Sequence, residues 1–264
     1  MSGGGVLDEI LSHKRSELAA RRSHVSMGEL QARCRRLAPA LDFAAALRPR
    51  AGARVRLIAE VKKASPSAGV LNAALDPVTQ SRAYAGAGAA AISVLTDEKY
   101  FRGSLDDLVA VRGTVSAPLL RKEFIVDEYQ LWESRAAGAD AVLLIVAALD
   151  PVRLRDLMQA AKEIGLATLV EVHDSAELEA ALRAGAPVIG VNNRDLRTLR
   201  TSLDPSLALL PLIPPGHVAV SESGIASGAD VERVVAAGAH AILVGEGLVR
   251  APDVSAKVRE LLLA

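Results

Sequence analysis

The sequence predicts an α/β fold, a single (β/α)8 TIM barrel with an N-terminal helical extension, on three observations. An Ala-Gly-Ala pattern followed by an apolar run recurs at Gly88, Gly138, Gly185 and Gly238, at intervals of 50, 47 and 53 residues. Each interval is about twice the length of one βα unit, so the four repeats predict eight units. Half of the residues are hydrophobic but only 3% are aromatic, which suits buried parallel strands under Ala-rich helices. Finally, short apolar runs alternate with helical patterns along the chain.

Eight β-prone or apolar runs are the predicted strands of this barrel. They are Val55–Val61, Ala90–Leu95, Pro118–Phe124, Ala141–Val146, Thr168–Val172, Val188–Asn192, Val218–Glu222 and Ala241–Val244. Their alternation with helices favours a parallel sheet, and their number favours closure. A doubly wound open sheet is the structural alternative.

The predicted helices between the strands have recognisable first residues. Asp76, Asp150 and Asp204 each precede a proline, which predicts an N-cap acid before Pro at the first helical position. Ser104, Asp127, Ser175 and Ser227 are further predicted helix starts. In each Ala-Gly-Ala pattern, glycine is expected to supply the positive φ with which a helix ends before a strand.

The chain before the first strand does not fit the repeat. Residues 1–50 are predicted to form the helical extension, with helices at Val6–Arg22, Ser26–Arg36 and Leu41–Leu47, and residues 51–264 the barrel as one domain. The Gly3-Gly4-Gly5 start is expected to be disordered.

Charge and cysteine content limit the classes of partner. The 31 basic and 31 acidic residues balance, so no whole-molecule attraction to nucleic acid or an anionic membrane is expected. Cys34 is the single cysteine, which excludes an intrachain disulfide and a thiolate metal site. No secretory signal is visible, and the longest apolar run, Ala141–Leu149, is too short to span a bilayer. The expected protein is cytoplasmic, a monomer or a weak homo-oligomer.

Polar residues at the ends of five predicted strands form the candidate active site, because barrel enzymes place their active sites at the carboxyl ends of the strands. The set comprises two lysines, three carboxylates and an amide, namely Glu60, Lys62, Lys122, Glu171, Asn192 and Glu222. Glu60 and Lys62 are two residues apart and therefore point to the same face. A structural salt bridge explains one such residue readily, but five strands ending this way indicate a functional site.

A second pattern predicts a phosphate site. Ser223-Gly224 follows the seventh predicted strand, and Gly245-Glu246-Gly247 follows the eighth. Barrels bind phosphate with backbone amides in these two loops, where glycine permits close approach of the anion. Two ordinary glycine turns are the alternative.

Motifs for metals and cofactors are not found. The run from Gly86 to Ala91 matches G-x-G-x-x-A but follows a helix and precedes a strand, the reverse of a dinucleotide-binding loop. The five histidines show no metal-ligand spacing. No cofactor and no metal are therefore expected.

These residues resemble the indole-3-glycerol-phosphate synthase family of tryptophan biosynthesis. The resemblance covers nearly the whole chain and rests on runs in a fixed order: Leu57–Ser67, Ser93–Phe101, Leu120–Phe124, Leu169–Val172, Gly190–Leu196 and Ser221–Ile225. One departure is Glu123, where the family pattern predicts Asp.

The resemblance implies a lyase that converts 1-(2-carboxyphenylamino)-1-deoxyribulose 5-phosphate to indole-3-glycerol phosphate, carbon dioxide and water. It implies Lys122 as the general acid on the substrate carbonyl and Glu171 as the base. Lys62 would hold the substrate carboxylate and protonate the departing hydroxyl, although the assignment of each lysine to a step stays open. Glu60 completes the catalytic set.

The resemblance also implies the binding residues. Asn192, Glu222, Arg194 and Ser67 would bind polar groups of the substrate, and Phe101 and Phe124 would form the aromatic pocket. Ser65, Ser223, Gly224, Gly245 and Glu246 would form the phosphate site. Two crowded, partly desolvated lysines are expected to have lowered pKa values.

Two rival functions predict different residues. A phosphoribosyl isomerase barrel would use catalytic carboxylates or a Cys–Asp pair, whereas here two lysines end strands and Cys34 precedes the barrel. A catalytically silent phosphate-binding barrel would lack one or more of Glu60, Lys62, Lys122 and Glu171, and all four are present.

Overall fold

The fold is a closed barrel of eight parallel strands, as the sequence predicts. The computed structural model describes residues 6–50, 53–195 and 198–263. Around the barrel the hydrogen-bonded order is β1-β10-β9-β8-β7-β6-β5-β4, which excludes the open sheet. The strands are β1 (Arg56–Val61), β4 (Ala91–Leu95), β5 (Leu119–Lys122), β6 (Ala141–Ile145), β7 (Ala167–Val172), β8 (Val188–Asn192), β9 (Val218–Glu222) and β10 (Ala241–Val244). A short antiparallel pair, β2 (Ala64–Ser65) and β3 (Gly69–Val70), lies in the loop after β1.

Helices surround the barrel and precede it. The extension carries α1 (Val6–His24), α2 (Met27–Cys34) and α3 (Phe43–Ala46). The others are α4 (Pro77–Gly86), α5 (Glu98–Phe101), α6 (Leu105–Arg112), α7 (Glu128–Ala136), α8 (Pro151–Glu163), α9 (Ser175–Arg183), α10 (Asp204–Leu209), α11 (Gly228–Ala236), α12 (Glu246–Val249) and α13 (Val254–Leu261). Short 3-10 turns cover Val146–Ala148 and Leu210–Leu212.

Local sequence signals explain most of the turns. The four repeat glycines all have positive φ, between 75° at Gly185 and 112° at Gly238, so each ends a helix as predicted. Asp76, Asp150, Ser104, Asp127 and Ser227 cap the helices that they were predicted to start.

Two predicted N-caps are wrong by one residue. Asp174, not Ser175, caps α9, and its carboxylate accepts from the Glu177 amide. Helix α10 begins at Asp204 itself, after Leu203, whose backbone is already helical. The Asp204 carboxylate instead accepts a hydrogen bond from the Ser202 hydroxyl at 2.6 Å.

The core has two layers. Alternate strand residues such as Ile58, Leu120 and Val220 fill the barrel interior, together with Phe43 and Leu47 from the extension. Their neighbours in the strands, such as Leu57 and Val170, pack outward against the helices. Because Phe43 and Leu47 pack with residues at strand starts, such as Ala91 and Val188, the α3 region closes the amino-terminal end of the barrel.

The opposite end of the barrel is open and receives α1. Leu18 of this helix and Leu30 of α2 pack against Tyr129 of α7. The predicted boundary between the extension and the barrel falls between residues 50 and 51, and Ala51 and Gly52 lie outside the described residues. The same holds for Gly3-Gly4-Gly5 and for Leu196, the last residue of the family-like run Gly190–Leu196. Among the helices that the structure describes, none has the length and apolar content needed to cross a membrane.

Candidate active site

A cavity of about 470 Å³ opens at the carboxyl ends of the barrel strands. It is lined by fourteen of the fifteen residues predicted for the site: Glu60, Lys62, Ser65, Ser67, Phe101, Lys122, Phe124, Glu171, Asn192, Arg194, Ser223, Gly224, Gly245 and Glu246. The closed barrel brings these residues together because all the parallel strands end at the same rim.

Lys122, the last residue of β5, lies at the centre of the charged groups. Its Nζ is 2.5 Å from Glu222 Oε2 and 3.3 Å from Glu171 Oε2. Burial alone would lower the pKa of Lys122, but Glu222, Glu171 and Glu60 together raise it well above its ordinary value. The expectation of a lowered pKa is therefore wrong for Lys122, because carboxylates rather than a second lysine are its closest charged neighbours.

Glu60 and Lys62 form a second ion pair at the end of β1. They share a face, as their spacing predicts, and Lys62 Nζ is 3.0 Å from Glu60 Oε1. Burial would raise the pKa of Glu60, but Lys62 and Lys122 outweigh it and hold that pKa below the ordinary value. Glu60 is therefore a buried carboxylate that stays ionised.

Glu222 is the predicted residue that does not line the cavity. It lies at the end of β9 with 0% of its surface exposed, beneath Lys122. Burial, aided by Glu171 and Glu60, raises its pKa to about 7 against the opposing effect of Lys122. Its second oxygen, Oε1, has no hydrogen-bond partner among the described residues.

Gly190 makes room for this carboxylate. A Cβ at position 190 would lie 2.0 Å from Glu222 Oε1 and 3.0 Å from Glu222 Cδ. Gly190 is in the middle of β8 and pairs with Glu171 in the sheet. Because Gly190 has no side chain, there is space for the Glu222 carboxylate beneath Lys122.

Glu171 is held from two sides, one of which the sequence reasoning missed. Lys122 faces its Oε2, and the His173 Nε2 lies 3.4 Å from its Oε1. Burial would raise the pKa of Glu171, but Lys122 and His173 lower it strongly. His173 was considered only for metal-ligand spacing, whereas its position two residues beyond Glu171 is the signal that places both on one face.

Asn193 is a second residue that the sequence reasoning missed. Its Nδ2 donates to the Ser221 hydroxyl at 3.1 Å and to the Ser223 carbonyl at 3.0 Å. Its Oδ1 accepts from the Ser206 amide at 3.0 Å. Asn193 is buried and does not line the cavity, so it acts as a brace for the loop after β9.

The loop after β9 and the loop after β10 form one end of the cavity. Ser223 and Gly224 both have left-handed backbones, with φ of 65° and 75°. Gly245 follows β10, and a Cβ there would lie 2.5 Å from Glu60 Oε1. The backbone of the loop after β10 therefore passes close to the carboxylate of Glu60 without an intervening side chain.

Apolar side chains form a further part of the cavity wall. The Phe101 and Phe124 rings lie with centroids 6.2 Å apart at an interplanar angle of 41°, and Val6, Leu7 and Ile10 of α1 line the same cavity. The sequence reasoning did not assign these α1 residues to the site.

Glu123, the departure from the family pattern, joins the barrel to the extension. Its carboxylate lies 3.0 Å from Lys14 Nζ and 3.6 Å from an Arg121 nitrogen, and it accepts from the Thr96 hydroxyl at 2.9 Å. The longer side chain thus spans between α1 and the end of β5, and Glu123 also lines the cavity. Within the described part of the chain, no group of three or more His, Cys, Asp or Glu is arranged to hold a metal ion.

Comparison with known proteins points to one family. The family model described as indole-3-glycerol phosphate synthase matches residues 7–261. A protein of that name from Acidithiobacillus ferrooxidans is 50% identical over 93% of this chain and 94% of its own length. Another from Mycobacterium avium is 48% identical over 100% of this chain and 96% of its own.

A solved structure supports the fold. The structure of 3-hexulose-6-phosphate synthase from Salmonella typhimurium superposes with a TM-score of 0.64 at 18% identity, covering 79% of this chain and 97% of that one. At this identity the likeness concerns the barrel alone.

Proposed function

This chain belongs to the indole-3-glycerol phosphate synthase family, and we propose that the charged cluster around Lys122 is where it closes the indole ring. The enzyme converts 1-(2-carboxyphenylamino)-1-deoxyribulose 5-phosphate to indole-3-glycerol phosphate with loss of carbon dioxide and water. The observation that carries the proposal is that one cavity is lined by two ammonium groups and two carboxylates, those of Lys62, Lys122, Glu60 and Glu171.

In the first step, the aromatic carbon that bears the carboxylate attacks the ketone carbon, and the ketone oxygen takes a proton. We assign this proton to Lys122. Its raised pKa keeps the ammonium protonated at neutral pH, so a proton is available for transfer. As negative charge develops on the ketone oxygen, this oxygen competes with Glu222 and Glu171 for the protons of the Lys122 ammonium. Carbon dioxide then leaves, and its bonding electrons restore the aromatic ring.

In the second step, a proton leaves the carbon beside the nitrogen and the hydroxyl leaves as water. We assign Glu171 as the base, since its lowered pKa keeps it ionised. Lys62 is assigned to hold the substrate carboxylate and then protonate the hydroxyl, and its 3.0 Å contact with Glu60 supports this because Glu60 can orient the ammonium. Each proton transfer uses a group of the chain itself, so we propose catalysis without a metal or a cofactor.

Substrate binding follows the walls of the cavity. The Phe101 and Phe124 rings would receive the aryl group, while Asn192 and Arg194 would donate to the polyol and carboxylate. The phosphate would lie against backbone amides of Ser223, Gly224, Gly245 and Glu246, with the Ser65 and Ser67 hydroxyls on the facing loop. For Glu222, whose carboxylate is covered by Lys122, we propose that it acts by orienting that ammonium.

The wider setting is also a proposal. We propose one barrel domain with its N-terminal extension, acting in the cytoplasm as a monomer or a weak homo-oligomer without nucleic-acid partners. The zero formal net charge supports the last point.

The test is product formation by the purified chain, followed by the indole fluorescence of indole-3-glycerol phosphate. The wild type should form product before and after exhaustive chelation, and Glu171→Gln should lower turnover at least ~10²-fold, as loss of a positioned base does. Glu163→Gln, a substitution at an exposed carboxylate far from the cavity, should not change turnover. Full activity of Glu171→Gln would remove Glu171 from its role, and activity that chelation abolishes and a divalent ion restores would contradict the metal-free mechanism.

A further inference from the structure

We propose that His173, anchored by Glu177, is a positioning residue that fixes the Glu171 carboxylate for proton abstraction. The inference rests on the proposed role of Glu171 as the base. His173 does not line the cavity, so it acts on the reaction only through Glu171.

The geometry is a chain of three side chains leading away from the cavity. Glu177, in the first turn of α9, accepts from the His173 backbone amide at 2.8 Å and lies 3.0 Å from His173 Nδ1, both through Oε2. The opposite ring nitrogen, Nε2, lies 3.4 Å from Glu171 Oε1. Two contacts to one carboxylate oxygen fix both the backbone and the ring of His173. Its Nε2 has no hydrogen-bond partner among the described residues, but it lies within ion-pair distance of one oxygen of Glu171, Oε1.

The charges favour an imidazolium at this position. Burial alone would lower the pKa of His173, but Glu171 and Glu177 raise it to about 10. The groups that face Glu171 in its turn are Lys122 and His173, with Asn192 as a hydrogen-bond partner. The charge of Glu171 in turn raises the pKa values of the Glu222 and Glu60 carboxyls, against the lysines that lower them.

The two oxygens of Glu171 therefore have separate partners. Oε1 faces His173 and Oε2 faces Lys122. The terminal torsion of a glutamate is soft, so without His173 the carboxylate is free to turn both oxygens toward the Lys122 ammonium. A base paired in this way with the acid is misplaced for the substrate, and small misplacements of reacting groups lower rates strongly.

The first experiment tests the ion pair directly. In protein labelled at its histidine rings, NMR should show one ring that stays an imidazolium well above pH 8 and is absent from His173→Gln. In Glu177→Gln and in Glu171→Gln that ring should titrate at lower pH, because each change removes a negative charge that stabilises the imidazolium. A His173 signal that titrates near the ordinary histidine value in the wild type would overturn the proposal.

The second experiment measures kcat and KM of the same variants. His173→Gln should lower kcat by about tenfold or more with KM within about twofold, because the substrate does not touch the ring. Glu177→Gln keeps an oxygen acceptor but loses the charge, so its kcat should lie between those of the wild type and His173→Gln. The matched control is His240→Gln. His240 is half-buried at the opposite end of the barrel, and its Nδ1 accepts a hydrogen bond from the Ala219 amide at 3.0 Å.

The outcomes separate this inference from the proposed function. An inactive Glu171→Gln together with an unchanged kcat in His173→Gln would overturn the positioning role and leave the base assignment intact. A fully active Glu171→Gln would refute the base assignment itself. Equal loss of kcat in His173→Gln and His240→Gln would assign His173 a structural role only.

Discussion

Lys122 Nζ lies 2.5 Å from a Glu222 carboxylate that has no exposed surface. This pair sets the charge balance of the site, where three carboxylates, Glu60, Glu171 and Glu222, face two lysines, Lys62 and Lys122. Of the three carboxylates, Glu222 is the one with a raised pKa, because its burial outweighs the opposing effect of Lys122. The pKa of Glu60 stays lowered because Lys62 and Lys122 outweigh the effect of burial, and the pKa of Glu171 stays lowered because Lys122 and His173 do so.

Lys122→Met is expected to lower turnover at least ~10²-fold, since it removes the proposed general acid. Measured by product fluorescence, the loss should appear in kcat. Lys63→Met is the matched control, because Lys63 pairs with Asp107 at 2.7 Å outside the cavity and should keep its turnover. If Lys122→Met retains more than about a tenth of wild-type turnover, Lys122 is not the acid.

Glu222→Gln is expected to change the pH dependence of stability. A carboxyl whose folded pKa is raised to about 7 holds a proton that the unfolded chain has already lost, so the free energy of unfolding falls as pH rises from the unfolded value, about 4.3, to about 7. Glutamine has no such titration. The stability of the variant relative to the wild type should therefore increase across this window and level off above it.

Denaturant unfolding at several pH values measures this difference. The same pH series on Glu163→Gln gives the background for an exposed carboxylate. A difference between Glu222→Gln and the wild type that stays constant from pH 4 to pH 8 would show that Glu222 titrates at an ordinary value.

Gly190→Ala tests the packing beneath Lys122. The new Cβ would lie 2.0 Å from Glu222 Oε1, so the carboxylate has to move and Lys122 loses its closest partner. We expect a loss of stability of about 1–3 kcal/mol, as overpacking of a core costs, and a fall in kcat. Gly86→Ala, where a Cβ meets nothing within 4 Å, should be as stable and active as the wild type. Equal kcat in the two variants would show that the Glu222 position does not matter to Lys122.

The architecture was predictable because each βα unit repeats the same local signals. The bounds of β8, β9 and β10 agree with the sequence prediction, and the repeat glycines have the predicted positive φ. The predicted strand Pro118–Phe124 is longer than the observed β5, because Glu123 turns out of the sheet to meet Lys14 and Thr96. At α9, two neighbouring residues are both good caps, so a local signal does not choose between Asp174 and Ser175.

The face of each strand was predictable at the site, but the neighbours of each charge were not. Period-two alternation directs Glu60, Lys62 and Glu171 into the barrel. The carboxylates around Lys122 are determined instead by the strand register and by the space beside Gly190. Neither can be predicted from the residues next to Lys122 in the sequence. The pKa expectation for the lysine failed for this reason, and His173 and Asn193 were missed because they act through other residues.

A test of the proposed phosphate end of the cavity needs a substitution that does not disturb the proposed catalytic groups. A side chain at Gly245 would meet Glu60 Oε1 at 2.5 Å, so Gly245→Val would alter turnover as well as binding. Asn193→Ala disturbs fewer of these groups, because Asn193 does not line the cavity and contacts the loop after β9 through the Ser223 carbonyl at 3.0 Å. Without this brace, Ser223 and Gly224 lose what holds their left-handed backbones in place.

Asn193→Ala should therefore raise the KM for the phosphorylated substrate by about tenfold, an interaction of about 1.4 kcal/mol, while kcat changes much less. Inorganic phosphate, a competitor of substrate in the wild type, should compete more weakly in the variant by a similar factor. A dephosphorylated substrate analogue should bind both proteins equally, because it never uses the loop amides. Ser206→Ala is the matched control: its hydroxyl contacts the Ser221 hydroxyl at 2.7 Å in the same buried cluster, but its amide still donates to Asn193. If Asn193→Ala weakens both ligands alike, or if Ser206→Ala weakens phosphate as much, then the loop after β9 is not the phosphate site and Asn193 serves the barrel fold only.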